Sequence, residues 1–313
     1  MNHGIIIHGG AGALRTHENL ASYREGLKNA VTMGFKTLDA GRSSTEAVTE
    51  AVYCMEESGA FNAGLGCCLT LDASAEVDAG IMDGVTMSVG AVAALRNVRH
   101  PILAARIVME KTDHVLLVGE GATKILEALG ISQDASLVTQ QKLEKLAKLK
   151  KDWLGEQGNW MVRNRELVKS VSHRHGTVGA VAVDQRGNIS AAASTGGYWL
   201  KLSGRVGDTP IPGAGFYASE AGGAVATGIG EYAIRTSLTK RVVDLMDAGK
   251  TAQEAVESSL SVITSRFGKN TMGLIALDSN GKYGYSYNTE GMGRAVMFSG
   301  WEQPLLGVFP DDM

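Results

Sequence analysis

The sequence predicts an α+β fold in which two stacked sheets are flanked by helices. Three observations predict it. Short apolar strand runs occur in both halves of the 313-residue chain. Both halves also carry amphipathic helical patterns, each of which needs a sheet face to cover. The strands of the second half come in pairs around good turn sequences.

Taken in order, Ile5–Ile7 form a short buried strand that runs into His8-Gly9-Gly10. A helix is expected around Leu20–Leu38, with Leu20, Tyr23, Leu27, Ala30 and Val31 on one face. Ser43 and Glu46 make a capping box for a second helix reaching about Glu57. Cys68–Leu71 and Val77–Met82 read as a hairpin-like pair, and Met87–Leu95 as a further strand. Pro101 opens a helix to about Lys111. Val115–Val118 is a strand, followed by a helix ending at Gly130. Residues 131–172 carry recurring lysines and no strand signal, which predicts a solvated linker, partly helical. Thr177–Val183 and Ile189–Ser194 flank AspGlnArgGlyAsn as a hairpin. Gly223–Thr227 is a strand, and helices are expected near Glu231–Ala248 and Ala252–Arg266. Met272–Leu277 and Tyr283–Tyr287 make a second hairpin around AspSerAsnGly, and Arg294–Phe298 a last strand.

Composition narrows the function. Thirty Lys and Arg stand against thirty-three Asp and Glu, for a net charge of −3, which gives no reason to expect nucleic acid or an anionic membrane. No apolar run has the length of a membrane span. Cys54, Cys67 and Cys68 have no spacing that suits a disulfide framework or a zinc site. The N-terminus lacks a basic leader and a long apolar core, so a cytoplasmic protein is expected. Glycine is the outlier, at 40 residues in short clusters suited to tight turns and close backbone approach.

The chemistry gathers at HisGlyThrValGlyAlaValAlaValAsp, where Thr177 begins a core strand after a bare glycine. Threonine is a good strand former, and its hydroxyl can simply bond nearby backbone. Thr177 also reads as a nucleophile. Cutting the Gly176–Thr177 bond would free an α-amine, of reference pKa about 7.7–8.0, beside its own hydroxyl. Gly176 tolerates strained backbone and leaves its carbonyl open to attack. Thr195, in SerThrGlyGly, ends the same hairpin and returns close to Thr177. Arg205 and Asp208, in GlyArgValGlyAsp, suit the carboxylate and ammonium of an amino acid; an ordinary surface ion pair is the bland alternative. ThrGlyIleGlyGlu at 227–231 can offer the Thr227 hydroxyl and backbone N–H groups to an oxyanion. His173 and His175 have metal-like spacing without a third ligand, which favours a solvated segment.

These motifs resemble, in order and spacing, those of the plant-type (type III) L-asparaginases, also called isoaspartyl peptidases, which are N-terminal-nucleophile hydrolases. IleIleIleHisGlyGlyAlaGly, PheAsnAlaGlyLeuGly and LeuAspAlaSerAlaGluValAspAlaGlyIleMetAspGly extend the resemblance to almost the whole chain. The resemblance implies a single domain with a four-layer αββα sandwich of the Ntn-hydrolase type. It implies self-cleavage into an α subunit, 1–176, and a β subunit, 177–313, with the linker at about 131–176 and an (αβ)2 homodimer. Thr177 would be the nucleophile and Thr195 its positioner. Arg205 would hold the substrate carboxylate and Asp208 its ammonium. Thr227 and Gly228 would form the oxyanion hole, Gly230 would shape the site, and Asn62 would support the nucleophile. No catalytic cofactor is implied, but a structural sodium is, held by the backbone carbonyls of Met55, Glu56, Ser58, Phe61, Ala63 and Leu65. The substrates would be asparagine and β-aspartyl dipeptides. Tyr198 and Trp199 depart from the family pattern and put leaving-group preference in question. A glycosylasparaginase-like amidase and an uncleaved binding homologue are the alternatives.

Overall fold

The computed structural model describes residues 2–14, 19–155 and 175–312. The expected layering is found. β1 (Gly4–Gly12), β2 (Glu76–Asp83), β3 (Val89–Arg96), β4 (Leu116–Val118), β5 (His175–Val183), β6 (Ile189–Tyr198), β11 (Gly291–Phe298) and β12 (Leu305–Gly307) form an eight-stranded sheet. Its order is β12-β11-β1-β5-β6-β2-β3-β4, so the two chain halves interleave at the centre. β7 (Phe216–Ser219), β8 (Gly222–Gly228), β9 (Met272–Asp278) and β10 (Tyr283–Tyr287) form a second sheet in the order β10-β9-β8-β7.

Strand alternation assigns each layer, because successive side chains point to opposite sheet faces. In β1, Ile5 and Ile7 face one core and Ile6 another. In β5, Val178, Ala180 and Ala182 go with the first core, and Val181 and Val183 with the second. The first core packs beneath α1 (Leu20–Asp39), α2 (Ser44–Ser58) and α3 (Pro101–Lys111). The second lies between the sheets, where Val225 and Ile275 meet Val181 and Ile6. On the far side of the small sheet, Ala224, Ala226 and Leu274 pack on α7 (Leu238–Asp247) and α8 (Ala252–Phe267). Helices, sheet, sheet and helices are therefore stacked in that order. A one-residue slip in β1 or β5 would exchange two cores at once, which pins the register.

Local chemistry sets the boundaries. Both capping-box bonds of α2 form, and Gly59 ends that helix in the left-handed region. Thr251 and Glu254 repeat the device at α8. Four expectations are corrected. The strand at Cys68–Leu71 is replaced by a turn, because the Thr70 hydroxyl bonds Asp72 and receives the Ser74 N–H, while Ala73 takes a positive φ. The helix expected over Glu231–Ala248 is two, α6 (Gly230–Thr236) and α7, separated by Ser237 in the left-handed region. The strand near Val115 is only Leu116–Val118, and the helix after it, α4, is Gly119–Ala128.

The fourth correction is the linker expected at about 131–176. Its first part is ordered into the fold: α5 spans Gln140–Gly155 and buries Leu146, with Leu143 and Leu149 packed beside it, while Leu137 is buried just before. Leucines three apart make a stripe that outweighs the lysines between them. The rest of the expected linker, 156–174, lies outside the described residues, and so do His173 and the side chain of His175.

Candidate active site

Thr177 and Thr195 are directly opposed in the β5–β6 ladder. Three of the strands around them are interrupted at the same level: β5 between His175 and Thr177, β1 between His8 and Gly10, and β2 between Val77 and Ala79. Bulges bend strands and re-aim side chains, and they collect beside active sites. Here they turn the Thr177 hydroxyl onto Thr195, to which it donates at 3.4 Å. Thr195 in turn donates to the Gly176 carbonyl at 3.2 Å and receives the Gly197 N–H at 2.9 Å. A chain of hydroxyls thus runs from Thr177 through Thr195 to the Gly176 carbonyl. Thr177 is 6% exposed.

Asn62 ties the PheAsnAlaGly loop to this arrangement. Its amide donates to the Gly197 carbonyl at 2.5 Å, its side-chain oxygen accepts the Cys68 N–H at 2.8 Å, and its own carbonyl accepts the Gly196 N–H at 2.9 Å. Gly10 closes the other side. A β-carbon there would fall 3.1 Å from the Gly176 Cα and 3.7 Å from the Thr177 nitrogen, at a φ of +118. The next residue, Ala11, donates its N–H to the Thr227 hydroxyl at 3.3 Å, which leaves that hydroxyl's own proton free to point elsewhere. Gly228 follows at a φ of +134, where a β-carbon would strike the Thr271 carbonyl.

The Arg205–Asp208 region differs from a surface pair. Arg205 gives Nε and Nη2 to Glu231 at 3.0 and 2.9 Å, and its guanidinium lies 4.3 Å over the Tyr198 ring. Burial, the largest single influence, would lower its pKa, but Glu231, Tyr198 and Asp78 together raise it. Asp208 is 3% exposed, and its Oδ2 finds no hydrogen-bond donor among the described residues. Burial pushes its pKa up to about 7, against the pull of Arg205. A β-carbon on Gly230 would sit 2.6 Å from Asp208 Oδ1, so only glycine leaves that carboxyl its place. A buried carboxyl with an unpaired oxygen is a ready acceptor for an ammonium.

Four participants escaped the sequence reading. Glu231 was quoted within its motif, yet not as the partner that a buried guanidinium requires. Asp78 is fully buried beside Thr195 in the β2–β6 ladder, with Oδ1 accepting the Ala94 N–H at 2.8 Å and Oδ2 without a donor among the described residues. Its charge acts on both Arg205 and Asp208. Glu76 and Asp78 alternate with apolar Val77 and Ala79, a polar strand face that period two exposes. Lys201 is fully buried and donates to the Glu76 carbonyl at 2.9 Å. His8 is buried near the Thr177 backbone, with burial pushing its pKa down to about 3. So weak a base cannot draw the Thr177 proton at neutral pH.

The loop expected to hold sodium leaves α2 at Met55, Glu56 and Ser58 and passes Phe61, Ala63 and Leu65. Neutral carbonyl oxygens suit a hard cation. The Met55 carbonyl also accepts the Ser58 hydroxyl, Phe61 and Ala63 accept N–H groups from Ala63 and Gly66, and Leu65 accepts the Lys142 ammonium at 2.9 Å. A carbonyl has a second lone pair, so accepting one hydrogen bond does not by itself bar such a group from ligating a cation. No cluster of three or more His, Cys, Asp or Glu suited to a metal occurs among the described residues, nor any helix long and apolar enough to cross a membrane.

A four-layer αββα sandwich with a threonine pair at the heart of its larger sheet is the architecture of the N-terminal-nucleophile amide hydrolases. The profile described as asparaginase matches residues 1–303, and the chain belongs to that family. It is 45% identical over 305 residues to the plant-type L-asparaginase of Pyrococcus horikoshii, covering 97% of this chain and 99% of that one. It is 41% identical over 313 residues to the isoaspartyl peptidase of Escherichia coli, covering 97% and 95%. The isoaspartyl peptidase/L-asparaginase of Xenopus laevis is 41% identical over 310 residues, covering 97% and 94%.

Proposed function

We propose that this protein cuts its own Gly176–Thr177 bond and then hydrolyses L-asparagine and β-aspartyl dipeptides to aspartate. The observation that carries the reading is the hydroxyl chain from Thr177 through Thr195 to the Gly176 carbonyl. In self-cleavage, the Thr177 oxygen bonds the Gly176 carbonyl carbon, and Thr195 donates to the oxygen as it gains charge. The C–N bond then breaks, the nitrogen takes a proton, and water hydrolyses the resulting ester. Two fragments, 1–176 and 177–313, remain within one fold.

The freed amine of Thr177 then serves as its base. The Thr177 oxygen attacks the side-chain carbonyl of the aspartyl group, while Thr227 and the Gly228 N–H receive the oxyanion. Ammonia or an amino acid leaves with the proton, and water releases aspartate from Thr177. Asp208 takes the α-ammonium of the substrate. Arg205, held flat by Glu231 and Tyr198, offers its remaining edge to the α-carboxylate. Asn62 keeps Gly197 and Thr195 in place, and Gly230 leaves room for Asp208.

The intact mass of the purified, aged protein tests the reading, together with hydrolysis of asparagine, β-Asp-Leu and a glycosylated asparagine. Two fragments split at Gly176–Thr177 and turnover of the first two substrates are expected. Preference for the glycosylated substrate would favour a glycosylasparaginase, and an uncleaved, inactive chain a binding homologue.

The acid side of the pH profile follows from Asp208. Below about pH 7 its carboxyl is neutral in the free protein and cannot hold an ammonium. The Thr177 amine, with a reference pKa of about 7.7–8.0, is protonated over the same range and cannot act as base. Values of kcat/KM for asparagine are therefore expected to fall by between one and two decades per pH unit below about pH 7. A flat profile from about pH 5 to 8 would count against both assignments.

A structural sodium in the 55–65 loop would help to hold Asn62 in place and would share the Leu65 carbonyl with Lys142. Replacing sodium by choline at constant ionic strength is expected to lower Tm by about 2–4 °C. An unchanged Tm would remove the ion from the account. An (αβ)2 homodimer in the cytoplasm completes the reading, and sedimentation at several concentrations tests the assembly.

A further inference from the structure

Helix α5 carries a lysine whose side chain enters the loop that holds Asn62. Lys142 is half-buried. Its ammonium donates to the Leu65 carbonyl and to the Leu137 carbonyl, each at 2.9 Å, and stands 3.6 Å from the Cys67 Sγ. No step of the mechanism above uses this residue. Two carbonyls that share one ammonium are held at a fixed separation, because charge-assisted hydrogen bonds are the stronger kind.

One end of this tether is fixed. Leu137 and Leu146 are buried in the first core, and Leu143 and Leu149 pack against it. The other end is a loop with little freedom of its own. Ala63 and Gly66 donate to the Phe61 and Ala63 carbonyls at 2.9 and 3.1 Å, and Cys67 donates to the Gly64 carbonyl at 3.0 Å. A β-carbon on Gly66 would fall 2.0 Å from the Phe61 carbonyl oxygen, so the chain is folded tightly on itself. Displacing Leu65 therefore displaces Asn62 with it.

Asn62 bonds Gly196 and Gly197, and the Gly197 N–H in turn bonds the Thr195 hydroxyl. Hydrogen bonds and peptide links thus run without a gap from Lys142 to the residue opposite Thr177. Lys145, one turn on in the same helix, stands 5.7 Å from the centre of the Trp199 ring, two residues past Gly197. Helix α5 bears on both segments that Asn62 joins.

We propose that Lys142 is a positioning residue of the hydrolase, tethering the 61–68 loop to α5 so that Asn62 keeps Gly197 and Thr195 aligned with Thr177. The inference rests on the supporting role proposed above for Asn62. A misplacement of about 1 Å at reacting groups costs up to about 100-fold in rate. Arg205 and Asp208, which receive the charged groups of the substrate, lie outside the tethered loop. Loss of the tether is therefore read in kcat and not in KM.

The test measures kcat and KM for asparagine on the self-cleaved fraction of each protein, at constant sodium concentration. Lys142→Met keeps the apolar stem and loses the donors. Its kcat is expected to fall about tenfold, with KM changed by less than about twofold. Lys142→Arg restores a cation with several donors and is expected to recover most of the rate. Lys148→Met removes an exposed lysine of the same helix and is expected to leave kcat unchanged. A Lys142→Met chain that folds but stays uncut, beside a Lys142→Arg chain that is cut, would be the same loss of alignment in its extreme form. Should Lys142→Met not fold, Lys142→Gln takes its place with the same expectation. An undiminished kcat, a rise in KM alone, or an equal loss in Lys148→Met would overturn the tether. Asn62→Ala reads the underlying role separately. If its kcat falls while that of Lys142→Met does not, the tether alone fails; if its kcat is unchanged, the role proposed for Asn62 fails with it.

Discussion

Thr177→Ala is expected to remain one uncut chain on ageing and to lose hydrolysis of every substrate, by at least about 10³-fold. The substitution removes the hydroxyl oxygen proposed to bond the Gly176 carbonyl carbon. It also removes the head of the hydroxyl chain, whose first step spans 3.4 Å. The fold should tolerate it, because alanine fits a strand whose residues after Thr177 are all Val, Gly and Ala. Thr177→Ser keeps the oxygen and should retain both reactions at reduced rate, since the methyl that fixes the rotamer is gone. Mass spectrometry over days gives the cleavage, and release of ammonia the hydrolysis. Appreciable turnover in Thr177→Ala would end the mechanism, whatever its cleavage state.

Thr195→Val should slow self-cleavage by about 10²–10³-fold, the usual effect of losing one oxyanion donor. Valine has the shape of threonine without the hydroxyl, so the ladder opposite Thr177 survives. Three contacts end together: the bond to the Gly176 carbonyl at 3.2 Å, the acceptor for Thr177, and the acceptor for the Gly197 N–H at 2.9 Å. A buried N–H without a partner costs about 1–3 kcal/mol, so a lower Tm should accompany the slower cleavage. Thr195→Ser restores the donor and should recover most of the rate. Cleavage of Thr195→Val at the unaltered rate would show that the 3.2 Å contact has no part in the chemistry.

The layered fold was legible because it follows from alternation. Ile5, Ile6 and Ile7 cannot all face one core, and both chain halves supply strands of that kind. The turn between β5 and β6 announces itself in AspGlnArgGlyAsn, where Asp184 accepts the Arg186 and Asn188 N–H groups. Helix α5 was obscured because lysine dominates its composition, and only the spacing of Leu143, Leu146 and Leu149 gives away the buried side. The pairing of Thr177 with Thr195 could be reasoned from the antiparallel hairpin. The pairing of Arg205 with Glu231 could not, since it joins a loop to the first turn of α6, 26 positions on, through no periodic pattern. Asp78 was hidden for the opposite reason: it lies inside a strand, and its importance arises from its charge acting on Arg205 and Asp208, far away in sequence.

Gly176, bonded directly to Thr177, has a consequence for time rather than geometry. A bond cut by its own neighbour is cut at a rate that belongs to each molecule singly. Dilution cannot slow it and crowding with further copies cannot hasten it. On the proposed self-cleavage, freshly made protein would therefore mature by a first-order step before its first turnover, and abundance would run ahead of activity. On that proposal, activity in a cell that stops synthesis would continue to climb while uncut chains remain to mature.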